Sequence, residues 1–117
     1  ANNKSGPSGQ GIQHHGSRAL DKLAGVWVAT SGNDRGEVIT IQQTSGGVKV
    51  VSYVDSDGER FKILSSSSEN GILTWSYLVP STGYVLSFEV IDVYADFFKA
   101  AYHGDRSGRG TVDYKRK

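Results

Sequence analysis

The sequence predicts an all-β fold, an up-and-down antiparallel β-barrel of about eight strands behind a flexible N-terminal tail. Three observations carry that expectation. From residue 24 onward the chain is a series of apolar or alternating segments of about 7–10 residues, separated by clusters of Gly, Ser, Asn and Asp. No segment sustains a helical period. Every connection is too short for the crossover that parallel strands need, so successive strands should pair antiparallel. A meander of this length exposes two edges unless it closes, and closure removes both.

The expected strands are 25–30, 37–43, 48–54, 60–65, 72–79, 84–91, 94–103 and 110–116. Between them lie SGNDRG, TSGG, DSDG, SSSEN, PSTG, a tight link at Asp92 and Val93, and GDRSGRG. Each cluster except the tight link supplies the Gly, Asn or Ser that tight turns demand, and Asp57-Gly58 is the strongest hairpin signal. Alternation assigns an inward face: Phe61 and Ile63; Leu73, Trp75, Tyr77 and Val79; Tyr84, Leu86, Phe88 and Val90; Phe98, Ala100 and Tyr102; Val112 and Tyr114. VWVAT and VKVVSYV are apolar on both sides, which leaves their register open.

Residues 1–18 are mostly Gly, Ser, Asn and Gln, with Ile12 the one large aliphatic side chain, too little to offset the entropy of ordering. They read as a flexible tail or linker, and residues 19–117 as the barrel domain, entered through a short helical lead-in, ALDKL. A chain of 117 residues suffices for one domain with a core of its own.

Thirteen basic against twelve acidic residues leave a formal charge of +1, too weak a field to hold a phosphate backbone, so nucleic acid is not an expected partner. With no Cys, disulfides, thiolate metal sites and a cysteine nucleophile are excluded. The chain does not begin with Met, which fits removal of an export signal and a secreted or periplasmic location. No apolar run reaches the ~18 residues of a membrane span, so any membrane association is expected through the tail.

Leu23-Ala24-Gly25-Val26-Trp27 is the most informative string. Gly-x-Trp opening the first strand after a short helical lead-in resembles the lipocalins and the wider calycin group, in which that Trp plugs the closed end of the barrel. The resemblance implies that Gly25 and Trp27 play these parts, with Arg116 or Lys115 packed across the indole. The same features are similar to small bacterial metalloprotease-inhibitor barrels, in which an N-terminal tail reaches the protease zinc. That second resemblance implies an inhibitor acting through residues 1–18.

Among candidate sites, the aromatic set carries the most. Trp27, Phe61, Trp75, Tyr77, Tyr84, Phe88, Phe98, Tyr102 and Tyr114 fall mostly on the inward face. An eight-stranded barrel can just be filled by side chains or can hold one small guest, so the rings read either as core or as a pocket. In the second case Trp75, Tyr77, Tyr84, Phe88 and Tyr102 would grip a small hydrophobic molecule near the open mouth, with phenol hydroxyls orienting it.

His14-His15 offers imidazole ligands without fixed geometry. Asp55-Ser56-Asp57-Gly58-Glu59 has the alternating oxygens of a calcium loop's beginning but reads as a plain hairpin turn. His103, Asp105, Arg106 and Ser107 lie on one loop, whereas a catalytic triad converges from different directions. The expectation is therefore a non-catalytic binding module with no metal and no cofactor. Its partner is a small hydrophobic molecule held inside, or alternatively a protein engaged through the loops or tail.

Overall fold

The computed structural model describes residues 20–106 and 108–117. The tail expected over residues 1–18, with His14-His15, lies outside the described residues, as does Ser107. Eight strands follow: β1 (Gly25–Ala29), β2 (Val38–Thr44), β3 (Gly47–Val54), β4 (Lys62–Ser67), β5 (Thr74–Val79), β6 (Tyr84–Val93), β7 (Phe97–Gly104) and β8 (Arg109–Arg116). They form one antiparallel sheet in the order β3-β2-β1-β8-β7-β6-β5-β4. β1 pairs with both β2 and β8, which brings the first and last strands together and curls the meander into a nearly closed barrel. This architecture is compatible with a small calycin-like barrel.

The remaining seam, between β3 and β4, is joined in two ways. At one end a bridge between Val54 and Arg60 and the bond from Phe61 N–H to Tyr53 O at 2.9 Å continue the hairpin. At the other end, serine hydroxyls replace the ladder: Val50 N–H donates to Ser66 Oγ at 2.9 Å and Val48 N–H to Ser68 Oγ at 3.2 Å. Ser66 in turn donates to Thr74 O at 3.0 Å, which fixes its lone pairs toward β3. Buried N–H groups need partners, and here side chains supply them.

Two turns fall elsewhere than expected. β4 runs on through Ser65, Ser66 and Ser67, which pair with Ser76, Trp75 and Thr74, so the turn falls to the 3₁₀ segment Glu69–Gly71. Serine is a weak strand former, but the seam needs its hydroxyls there. The link placed at Asp92 and Val93 is instead ladder, paired with Lys99 and Phe98 beyond a bulge at Ile91. The β6–β7 turn is at Ala95 and Asp96, closed by Tyr94 N–H to Phe97 O at 2.9 Å.

The core lies inside the barrel. Trp27, Ile39, Tyr53, Leu73, Trp75, Tyr77, Phe98, Val112 and Tyr114 are buried, and β1 and β3 point Trp27, Ala29, Val48, Val50 and Tyr53 inward. A second bulge, at Val51 on β3 opposite the Thr40–Ile41 step of β2, sets Ile41 against Val50 and leaves Val51 exposed. Tyr102 lies opposite Gly110 and its ring covers that position, where a Cβ would meet the phenol oxygen at 2.8 Å.

Candidate functional site

Trp27 stands at one end of the interior. Its Nε1–H donates to Leu23 O at 2.8 Å, and its ring meets Phe98 edge-on at 4.9 Å between centroids. Leu20 and Leu23, in the turn before β1, are buried beneath it. Arg116 lies over the indole, its guanidinium carbon 4.1 Å from the ring centroid, and donates to Lys22 O at 2.6 Å and Ala24 O at 3.2 Å. Gly25, at φ +132°, makes room for that guanidinium: a Cβ there would meet Nη1 at 2.9 Å.

The rest of the interior is filled by rings in mutual contact. Tyr53 stacks on Phe61 at 5.6 Å and tilts against Tyr77 at 4.6 Å, Trp75 stacks on Phe88 at 4.9 Å, and Phe98 stacks on Tyr114 at 4.7 Å. The hydroxyls of Tyr53 and Tyr114 are hydrogen-bonded to each other at the centre. Burial holds the Tyr53, Tyr77 and Tyr114 phenols well above their ordinary pKa, so they remain neutral.

The five residues expected to grip a ligand are divided by this arrangement. Trp75, Tyr77 and Phe88 are packed within the ring cluster, and half-buried Tyr102 meets Phe88 at 5.6 Å. Tyr84 is 38% exposed at the mouth, with the Arg106 guanidinium 4.7 Å from its ring centroid and Arg106 Nη2 bonded to Gly83 O at 2.8 Å. Asp105 accepts from Val85 N–H at 3.1 Å, tying the same loop to β6.

A concavity of about 650 Å³ lies on the outer face of β4–β8. Most of its lining side chains point outward. Strand register places Ser65, Ser76, Ser87, His103 and Arg109 side by side, one from each of five consecutive strands. Thr74, Glu89, Ala101 and Thr111 form a parallel row one pleat away. Because six of these nine side chains are Ser, Thr or Ala, the backbone around Trp75, Phe88 and Gly110 forms the floor of a trough. Ser65 and Ser76 are hydrogen-bonded at 2.8 Å, and Arg109 has no ion-pair partner among the described residues. The sequence reading missed this row, although the recurrence of Ser at positions 65, 76 and 87 across successive hairpins was its trace.

The mouth opposite Trp27 carries a third arrangement. Glu37, just before β2, is only 5% exposed, and its Oε1 has no hydrogen-bond partner. Burial first, then the neighbouring Asp34 carboxylate, push its pKa up to about 8. Burial also raises Asp34, with Asp55 adding to the effect. The Asp55, Asp57 and Glu59 ligand atoms lie within 4.8 Å of one another in the β3–β4 hairpin. Glu59 accepts from both Ser81 N–H and Ser81 Oγ at 2.8 Å, which fixes the hairpin against the β5–β6 turn.

A scan against protein-family models and a search of curated proteins return no match for this chain.

Proposed function

We propose that this chain is a non-catalytic binding module that engages a protein partner through the outer trough of β4–β8. The observation that carries this reading is the contrast between an interior filled by rings and a concavity of about 650 Å³ outside it. Ligand pockets have volumes of about 300–1,000 Å³. Along the curved sheet, four interstrand steps of about 4.8 Å make a path of roughly 19 Å from Ser65 to Arg109, long enough for an extended segment of five or six residues wrapping the outer face. The hydroxyls of Ser65, Ser76 and Ser87 suit polar side chains or carbonyls along that segment. Arg109 and His103, at the far end, suit a carboxylate.

A panel of acidic and neutral peptides, followed through Trp75 emission and backbone amide shifts, tests the reading. Binding should perturb β4–β8, weaken at least tenfold in Arg109→Ser, and vanish in Ser76→Phe, whose ring would fill the trough. Perturbations confined to the loops, or unaffected by both substitutions, would refute it.

A second reading, a lipocalin-like carrier of a small apolar molecule, draws on Trp75 Nε1, which is buried without a partner. It also draws on the Gly25, Trp27 and Arg116 arrangement at the closed end. Saturable binding of a hydrophobic probe that survives Ser76→Phe and is lost on filling the interior with Leu86→Trp would favour it.

A further inference from the structure

Among the described residues three bulges interrupt the ladders, and each leaves an aliphatic side chain in solvent: Val51 on β3, Leu64 on β4 and Ile91 on β6. A bulge sets two residues against one of the partner strand and re-aims a side chain. On β4 the extra residue is Leu64. Ile63 pairs with Tyr77 and packs against the core, Ser65 pairs with Ser76 on the outer face, and Leu64 between them is 47% exposed.

Single exposed aliphatics are ordinary on a protein surface, so exposure alone argues nothing. Position does. Val54 is bridged to Arg60 and Phe61 N–H bonds Tyr53 O, and continuing that antiparallel count brings Val51 against Ile63 and Leu64 across the seam. Two of the three re-aimed side chains therefore lie side by side outside the barrel. Leu64 also directly precedes Ser65, where the serine row of the trough begins. Ile91 stands apart, on β6 beyond Glu89 and outside the trough lining.

We propose that Val51 and Leu64 form an apolar subsite at the β3–β4 end of the trough, which selects an extended partner segment with a large aliphatic side chain about six residues from a carboxylate. The subsite rests on the reading of the trough as a protein-binding surface and names what that surface recognises. From Arg109 on β8 the path crosses four interstrand steps to Leu64 and five to Val51, roughly 19 and 24 Å at about 4.8 Å each. An extended chain rises about 3.4 Å per residue, so a side chain seated between Val51 and Leu64 is about six residues from an acid at Arg109.

Charge sets the other end. Arg109 and His103 stand there, and Arg109 has no ion-pair partner among the described residues. Glu89, on the parallel row between Thr74 and Ala101, is the one carboxylate of the lining and disfavours an acid at the middle of the segment. Burial of an aliphatic side chain against Val51 and Leu64 adds affinity that the hydroxyls and a single exposed ion pair do not, because those polar contacts replace comparable bonds to water.

The full chain is titrated with capped peptides in which a leucine is fixed and an aspartate is moved away from it one position at a time, followed by backbone amide shifts. Affinity should peak at a separation of about six residues. For that peptide, Leu64→Ser and Val51→Ser should each weaken binding roughly tenfold. The same peptide with alanine in place of leucine should bind more weakly and be insensitive to both substitutions. Ile91→Ser, at the third bulge, should change nothing. All three side chains are at the surface, so these variants test contact and not folding. If binding keeps its dependence on Arg109 and Ser76 but ignores Leu64→Ser and Val51→Ser, or shows no preferred spacing, the trough stands and the apolar subsite is overturned. Equal loss in Ile91→Ser overturns the subsite as well. If no peptide perturbs β4–β8, the trough and the subsite fall together.

Discussion

At the Trp27 end of the barrel the indole N–H has its acceptor, Arg116 lies across the ring with two carbonyls to receive its protons, and Leu20 and Leu23 fill the space below. At the other end Glu37 is equally shielded from water but keeps an oxygen without a partner, beside two further carboxylates. The same eight strands support both. The two ends of one small barrel can therefore play different parts: the plug satisfies its polar groups and adds stability, while the mouth retains an electrostatic cost.

The largest expected effect breaks the comparison at the mouth. The unfolded chain releases the Glu37 proton near the ordinary value of 4.5, whereas the folded chain holds it until about pH 8. Between these values the folded state binds the extra proton, so stability falls as pH rises, and above pH 8 the slope from this group vanishes. The integrated loss is on the order of 4–5 kcal/mol. Glu37→Gln, which resembles the protonated side chain, should match the parent near pH 4 and exceed it at pH 9 by most of that amount. Urea melts at five pH values measure it, and parallel curves for the two proteins would show that Glu37 is not strained.

At the plug, Trp27→Ala should cost about 3–5 kcal/mol, the range for removing a fully buried large aromatic. The midpoint of denaturant unfolding reports the loss. Acrylamide should quench the native indole poorly, and free access of the quencher to Trp27 would contradict its enclosure. Arg116→Met keeps much of the apolar cover but removes the cation and both carbonyl bonds. It should cost about 1–2 kcal/mol. A loss as large as that of Trp27→Ala would mean that the guanidinium, not the indole, holds this end shut.

Much of the barrel could be read from sequence because alternation is a local signal. β5 with the residue before it, and β8, carry it plainly in Leu73-Trp75-Tyr77 and Val112-Tyr114, and all five residues are buried. The β4 extension could not be read that way, since a run of Ser has turn composition; it becomes strand through its ladder with Ser76, Trp75 and Thr74 of β5, while the hydroxyls of Ser66 and Ser68 meet N–H groups of β3 across the seam. Bulges at Val51 and Ile91 shift side chains between faces without any mark in composition. The trough required register: Ser65, Ser76 and Ser87 are ordinary surface residues until three hairpins align them. Glu37 was hidden for a similar reason. A Glu between Gly36 and a strand reads as solvent-facing, and its burial depends on how the β1–β2 loop folds back over Tyr53 and Tyr77.

The smallest expected effect concerns the seam that runs from one end to the other. Near the mouth it is closed by backbone, through Phe61 N–H and Tyr53 O, whereas near the plug it depends on single hydroxyls. Ser66→Ala removes the acceptor of Val50 N–H and the donor to Thr74 O, leaving a buried amide to find water or stay unpaired. A cost of about 1 kcal/mol follows, and Ser65→Ala, whose exposed hydroxyl bonds only Ser76, should cost less than about half of that. The more telling readout is local. Hydrogen exchange of the Val48 and Val50 amides should speed up in Ser66→Ala while Phe61 and the β7–β8 ladder keep their protection, because the seam opens from the plug end alone. If Phe61 exchanges in step with Val50, the seam is one cooperative unit and the serines are incidental to how the barrel closes. If Val50 stays protected, β3 and β4 can pair directly, and the extension of β4 through Ser67 has another cause.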